Sequence, residues 1–287
     1  MRTEKEMYAL FNRIACADER IRAMTLEGSR VNPSVTPDLM QDYDITFLVT
    51  ETESFLSSDD WLSAFGDLIF MQKPEVMDLF PPDMPEGWFS YLMLFADGTK
   101  IDLTLVPLAD HARYFASDPL IKVLLDKDGI CPQLSEPTDE LFWIQRPPES
   151  HVRDCSNEFH FTATYAARAL LRKELLFANN IMDHILREEL YRMLGYLAGA
   201  RNGFPLNTGK RNKWLPRFLT DGEYRLLLAT YNTAGIEAAW AALEAAMSLF
   251  ETAAAEVCKT LQYAPLADTA VIRNYIRTLK KIMHQAD

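Results

Sequence analysis

Two aspartates separated by a single residue, Asp42 and Asp44, stand where a proline-punctuated loop meets a strongly apolar run, Tyr43 to Thr50. Upstream, Gly28 and Ser29 close another apolar segment, and further on Asp102 falls inside the alternating stretch "KIDLTLVP". Carboxylates gathered away from water repel one another and lose hydration, so a chain that gathers them needs a cation in their midst. Their oxygens are hard donors of the kind Mg2+ takes, the ion completing its shell with water and phosphate oxygens. Glycine lets backbone come close to a ligand, and a serine hydroxyl with adjacent N–H groups can hold phosphate oxygens. A small anion-holding turn, an Asp-x-Asp pair and a third Asp on an adjoining strand are the parts of phosphoryl transfer, where positioning and charge neutralisation lower the barrier. Asp42, Asp44 and Asp102 are therefore the expected catalytic and metal-ligating residues. Strand alternation is expected to set the Asp42–Asp44 pair apart, with the twist at a strand end letting both converge on one ion. Each of these features alone is common; the ordered set is more specific.

These residues need elements to position them. "EKEMYALFNRIACADERI" puts Met7, Leu10, Phe11 and Ile14 on one face, which predicts an amphipathic helix. "IRAMTLEG" reads as a strand ending at Gly28, and "YDITFLVT" as a strand rich in β-branched and aromatic residues. "SSDDWLSAFGDLI" resembles a helix start with Ser57 or Ser58 as N-cap, and "LIFMQ" a short strand. In "FSYLMLFADGTKIDLTLVP", Asp97-Gly98 predicts a hairpin turn. Its second arm has Ile101, Leu103 and Leu105 on one side and Asp102, Thr104 and Val106 on the other. After Pro147-Pro148 the texture becomes helical: "TATYAARALLRKELLFANNIMDHILREELYRMLGYLAG" is helix-like throughout, and an Ala-rich helical segment and a helical C-terminal one follow. The expected fold class is α+β: a domain over residues 1–148 with a small mixed β-sheet flanked by helices, then an all-α helical-bundle domain over residues 149–287.

A formal charge of −12 argues against a general nucleic-acid binder, because phosphate contacts need Lys and Arg. The four cysteines lie far apart with no CxxC pair, which argues against zinc and suggests a reduced intracellular protein. The start, "MRTEKEMYALFNRIA", does not read as a signal peptide. No run approaches the ~18 apolar residues of a membrane span. No membrane partner is expected, and the expected location is cytoplasmic.

The Gly-Ser, Asp-x-Asp and distant third carboxylate resemble the nucleotidyltransferase superfamily. The words "TLEGSR", "QDYDITFLV", "MQKPEVMDLFPP", "FSYLMLF", "KIDLTLVPL", "LIKVLLDKDG" and "RKELLFA" narrow the resemblance to the aminoglycoside 6-adenylyltransferases, from the N-terminus to about Tyr231. The resemblance implies that the first domain binds ATP and Mg2+. It implies that AMP passes to a hydroxyl of streptomycin, that pyrophosphate leaves, and that the drug lies between the domains. It implies that Gly28 and Ser29 hold phosphate, that Asp42 and Asp44 bind metal, and that Asp102 is a metal ligand or the general base. Arg30 is an expected phosphate contact, with a salt bridge to a local acid such as Glu27 as the other reading. Lys210, in the basic loop "NTGKRNKWL", is expected at the ATP phosphates or simply exposed to solvent. A drug carrying guanidinium groups calls for carboxylates and aromatic faces, so Glu158, Tyr165, Glu174 and Asp183 are the expected substrate-binding residues. Glu158 and Tyr165, seven apart, would share a helix face, and Asp183 would lie near a whole number of turns from Glu174. The other acceptors weighed are a different aminoglycoside, a lincosamide or a protein side chain. A non-catalytic nucleotide-binding module is disfavoured because every part of the set is present. A monomer or homodimer is expected.

Overall fold

The structure is a computed structural model, which describes residues 1–82 and 84–286, the side chain of Ala286 excepted. The chain divides into two compact units, Met1–Leu141 and Phe142–Asp287.

The first unit opens with helix α1 (Glu4–Ala17), nucleated by a capping box in which Thr3 and Glu6 satisfy each other's backbone N–H groups. Met7, Leu10, Phe11 and Ala15 are its buried positions. The helix stops short of the expected Ile21. Arg20 pairs with Asp18 in the turn that follows, and Ile21, fully buried, begins strand β1 (Ile21–Glu27). Strand β2 (Tyr43–Val49), helix α2 (Glu53–Leu56), strands β3 (Leu68–Gln72), β4 (Phe89–Phe95) and β5 (Lys100–Pro107), helix α3 (His111–Phe115) and strand β6 (Ile121–Asp126) complete the set. The sheet order is β3-β4-β5-β2-β1-β6. β2 and β5 run parallel and the other neighbours antiparallel, so the sheet is mixed as expected.

The hairpin at Asp97-Gly98 forms, with Gly98 at φ +81° and the Asp97 carboxylate accepting from the Thr99 N–H and hydroxyl. The segment "SSDDWLSAFGDLI" departs from expectation. Asp60–Phe65 is a 3-10 turn rather than an α-helix; Asp59 ahead of it gives no side-chain cap, while the expected Ser58 hydroxyl accepts from the Asp60 N–H at 3.1 Å. Leu62 and Phe65, three apart, are both buried, which suits three residues per turn. α3 and β6 were not anticipated by the sequence reading.

The two sheet faces differ in chemistry, because strand residues alternate and directly paired residues share a face. One face carries Met24, Leu26, Ile45, Phe47, Ile101, Leu103 and Leu105, all buried in one cluster with Met7, Leu10 and Phe11 of α1. The other carries Ala23, Leu48 and Val106, which pack with Tyr114 and Trp88. Along the same alternation this second face also carries Thr25, Glu27, Asp44, Thr46, Asp102 and Thr104. Its acidic end is where the site lies.

The second unit is helical: α4 (Glu149–Leu171), α5 (Leu175–Ile181), α6 (Arg187–Asn202), α7 (Asp221–Ala229), α8 (Ile236–Leu261) and α9 (Ala270–Ala286). Its core runs along α4, α6 and α8, where Phe159 stacks on Phe250 at 3.9 Å between ring centroids and Trp240 is fully buried. The long helix read from the sequence is broken at Arg172–Glu174, where Lys173 adopts φ +60°, and a π-turn at Met182–Leu186 joins α5 to α6. Residues ahead of α4 pack on this unit: Ile144 bridges to Leu206, and the Tyr263 hydroxyl donates to the Pro147 carbonyl at 2.6 Å. No helix among the described residues is long and apolar enough to cross a membrane.

Candidate active site

The site is built where β1 ends and β2 and β5 begin. Gly28 leaves β1 at φ +67°, and a Cβ placed there would sit 2.5 Å from Oδ2 of Asp44. Only glycine fits both the backbone angle and that approach. The turn it opens, Gly28–Arg30, leaves Ser29 partly exposed, with its carbonyl accepting from the Gln41 amide at 3.2 Å. Arg30 is drawn onto its own loop. Its guanidinium donates to the carbonyls of Asp42 at 2.9 Å and Gln41 at 2.7 Å and lies 3.6 Å from the Tyr43 ring centroid. Its acidic neighbour is Glu4 at 3.7 Å rather than Glu27. Arg30 thus clamps the loop that delivers Asp42 to the sheet.

Asp42 and Asp44 are two positions apart, so alternation sends them to the same face, and the expected divergence does not arise. Asp44 pairs across β2–β5 with Asp102 and across β1–β2 with Glu27. Three carboxylates therefore stand in one row on three adjacent strands. The Lys100 ammonium donates to Asp42 at 2.7 Å and to Asp102 at 3.0 Å. Burial, and then the charges of Asp102, Glu27 and Asp42, push the Asp44 carboxyl up to about 7. Burial also raises Glu27, against hydrogen bonds from Thr46, Tyr114 and Thr25.

Among the described residues, no three His, Cys, Asp or Glu side chains are already converged as a metal cage. The donor set nonetheless suits a hard divalent cation. All its members offer carboxylate oxygen, their mutual repulsion is concentrated on Asp44, and a cationic group is already drawn between Asp42 and Asp102.

Two residues of this neighbourhood were missed in the sequence: Glu27 and Lys100. The i, i+2 spacing of Thr25 with Glu27, and of Lys100 with Asp102, is the signal that puts each on the acidic face.

The residues expected to bind substrate lie in the helical unit and do not form one pocket. Asp183 pairs with Arg187 at 2.9 Å and lines a cavity of about 740 Å³ whose walls also include Arg146, Arg192, Arg211, His151 and His184. Glu158, accepting from Thr162 at 3.2 Å, lines a smaller cavity of about 260 Å³ with Asp154, Glu189 and Tyr196. Tyr165, half exposed, meets Phe161 edge-on at 5.1 Å, and Glu174 lies 4.0 Å from Arg172; neither lines these two cavities. Glu158 and Tyr165 do share the helix α4. Glu174 stands outside a helix, as the residue before α5, so its expected phase with Asp183 is lost. Lys210 is exposed at the start of a 3-10 turn, and the next two residues, Arg211 and Asn212, adopt φ +55° and +62°.

A sequence profile of the streptomycin adenylyltransferase family matches residues 1–279. An aminoglycoside 6-adenylyltransferase of Bacillus subtilis (strain 168) is 44% identical over 264 residues, which is 92% of this chain and 93% of that protein. One from Campylobacter jejuni is 44% identical over 282 residues, covering 98% of this chain and 97% of that one. A crystal structure of an aminoglycoside 6-adenyltransferase from Bacillus subtilis is similar with 38% identity and a TM-score of 0.48, covering 98% of this chain and 99% of that chain. With nearly its whole length matched by the family profile, and with relatives this similar end to end, the chain belongs to the streptomycin adenylyltransferase family.

Proposed function

We propose that the chain transfers AMP from ATP to a hydroxyl of streptomycin with Mg2+ as cofactor, inactivating the drug. Family membership supports the reaction class, and the aminoglycoside in the relatives' names supports the acceptor class. The observation that carries the reading is the cross-strand pairing of Asp44 with Asp102 beside a turn where only Gly28 fits.

The first unit takes ATP. The Gly28-Ser29 turn holds phosphate oxygens through its hydroxyl and N–H groups. Asp42, Asp44 and Asp102 would hold the ion, which supplies neutralisation of phosphate charge. Asp44 must shed its proton to serve, since burial and its neighbours keep the carboxyl up to about 7. The proton of the attacking hydroxyl goes to a carboxylate, either Asp102, where it is not taken up as a metal ligand, or a Glu of the helical unit. A carboxylate is a weak base for an alcohol, so orientation must lower most of the barrier.

The helical unit takes the drug. Glu158 and Asp154, beside Tyr196, offer charge and an aromatic face to a guanidinium, while Glu189 of the same cavity is paired with Arg192 at 2.9 Å. Asp183, Tyr165 and Glu174 stay as further contacts for its cationic groups. Lys210, beside Arg211 on a strained loop, suits phosphate rather than the drug. The test is to incubate the protein with ATP, Mg2+ and a panel of aminoglycosides, a lincosamide and an acceptor protein, and to find by mass spectrometry which acquires AMP. Streptomycin should be modified; a panel in which only another acceptor gains AMP would replace the substrate assignment.

A further inference from the structure

Glu27 has no part in the reading above, although it occupies the position directly across from Asp44. It is the last residue of β1, its Cα pairs with that of Asp44, and Asp44 pairs in turn with Asp102. The face it shares with them follows from alternation. Its carboxylate is held from three elements. Tyr114 on α3 donates its hydroxyl to Oε1, Thr25 on β1 donates at 3.4 Å, and Thr46 on β2 adds a third hydroxyl. Tyr114 is itself fixed: it is 2% exposed, bonded to the Thr25 hydroxyl and packed edge-on against Trp88 at 6.0 Å.

An acid is an odd choice for this place if anchoring is its only task. A glutamine side-chain oxygen would accept from the same hydroxyls without bringing a second buried charge beside Asp44. The acid is explained if its charge is used. Resting on the cation assignment made above, we propose that Glu27 is a positioning residue of the transfer site. Clamped by Tyr114, Thr25 and Thr46, it extends the Asp44–Asp102 row to three strands, and its charge, costly while buried without an ion, adds to the field once the divalent cation is there. The ion's own contacts stay with the aspartates.

The experiment uses Mn2+ as probe, with free ion read by electron paramagnetic resonance on the full-length chain, alongside kcat and the two KM values. Glu27→Gln should bind Mn2+ at least ~10-fold more weakly, the scale set by losing one unit charge near a divalent ion in a partly buried site. Its kcat should fall while the KM for the drug holds. Tyr114→Phe, which frees one anchor, should weaken Mn2+ binding in the same direction by a smaller factor. A folded Glu27→Gln variant with wild-type Mn2+ affinity would make Glu27 a packing residue and overturn the proposal. Should that variant not fold, Tyr114→Phe decides, and wild-type affinity there overturns it equally. Wild-type protein that binds no Mn2+ would bring down the cation assignment itself, a separate outcome from equal binding by wild type and variant.

Discussion

At the scale of single residues, Asp44 carries the clearest physical signature. Its carboxyl, pushed up to about 7 by burial and by three acidic neighbours, holds a proton more tightly in the folded chain than in the unfolded one. Stability rises with pH only where the unfolded state binds more protons, and here the folded state does. The contribution is therefore full below the ordinary carboxylate range and is lost as pH climbs to about 7. Without divalent ions, the melting temperature should fall between about pH 4 and pH 7, and Asp44→Asn should flatten that slope. Parallel slopes for the two proteins, followed by circular dichroism, would detach the effect from Asp44. Asp42, Asp44 and Asp102 are legible as residues near strand starts from the turn signals and apolar runs, although the expected divergence of Asp42 and Asp44 runs against the period of two. Glu27 and Lys100 are legible only by half: the i, i+2 spacing puts each on the polar side of its strand, but which strand lies beside which, and in what register, is invisible in a single sequence. Arg30 illustrates the converse. Its place after a phosphate-type turn suggests a ligand, yet its guanidinium is committed to two carbonyls and a tyrosine ring.

At the scale of elements, the turn between β1 and β2 governs the site. Gly28→Ala would force a Cβ to within 2.5 Å of Asp44 Oδ2 at a φ of +67°. The variant should lose ~1–3 kcal/mol of stability, the range for backbone strain and misfit. It should also lose AMP transfer by more than that instability explains. Denaturant melts beside turnover measurements separate the two, and wild-type turnover in Gly28→Ala would show that the close approach has no function. The strands are largely readable because their apolar residues alternate, and the hairpin because Asp-Gly favours the needed turn. The break after α4 is hidden: Lys173 takes a left-handed backbone in a stretch with neither glycine nor proline to announce it. The same blindness made Asp60–Phe65 look like an ordinary helix, since Leu62 and Phe65 suit either period.

At the scale of the whole molecule, the first unit carries a polar sheet face, and the helical unit carries two cavities that share His151, Arg192 and Tyr196, the larger richer in arginine and the smaller in carboxylates. This difference bears on the drug. Glu158→Gln should raise the KM for streptomycin ~5–10-fold, the loss of one charge-assisted contact, and leave that for ATP within a factor of ~2. An unchanged drug KM would remove Glu158 from the substrate's surroundings. The central claim is that carboxylates meeting across β1, β2 and β5 run an adenylyl transfer. The most direct measurement compares wild type with Asp44→Asn, both verified as folded, for AMP added to streptomycin in the presence of ATP and Mg2+. Wild type should modify the drug and Asp44→Asn should lose at least ~10²–10³-fold in rate, the cost of removing one preorganised charge from such a site. Near-equal rates of transfer by the two proteins would contradict the account.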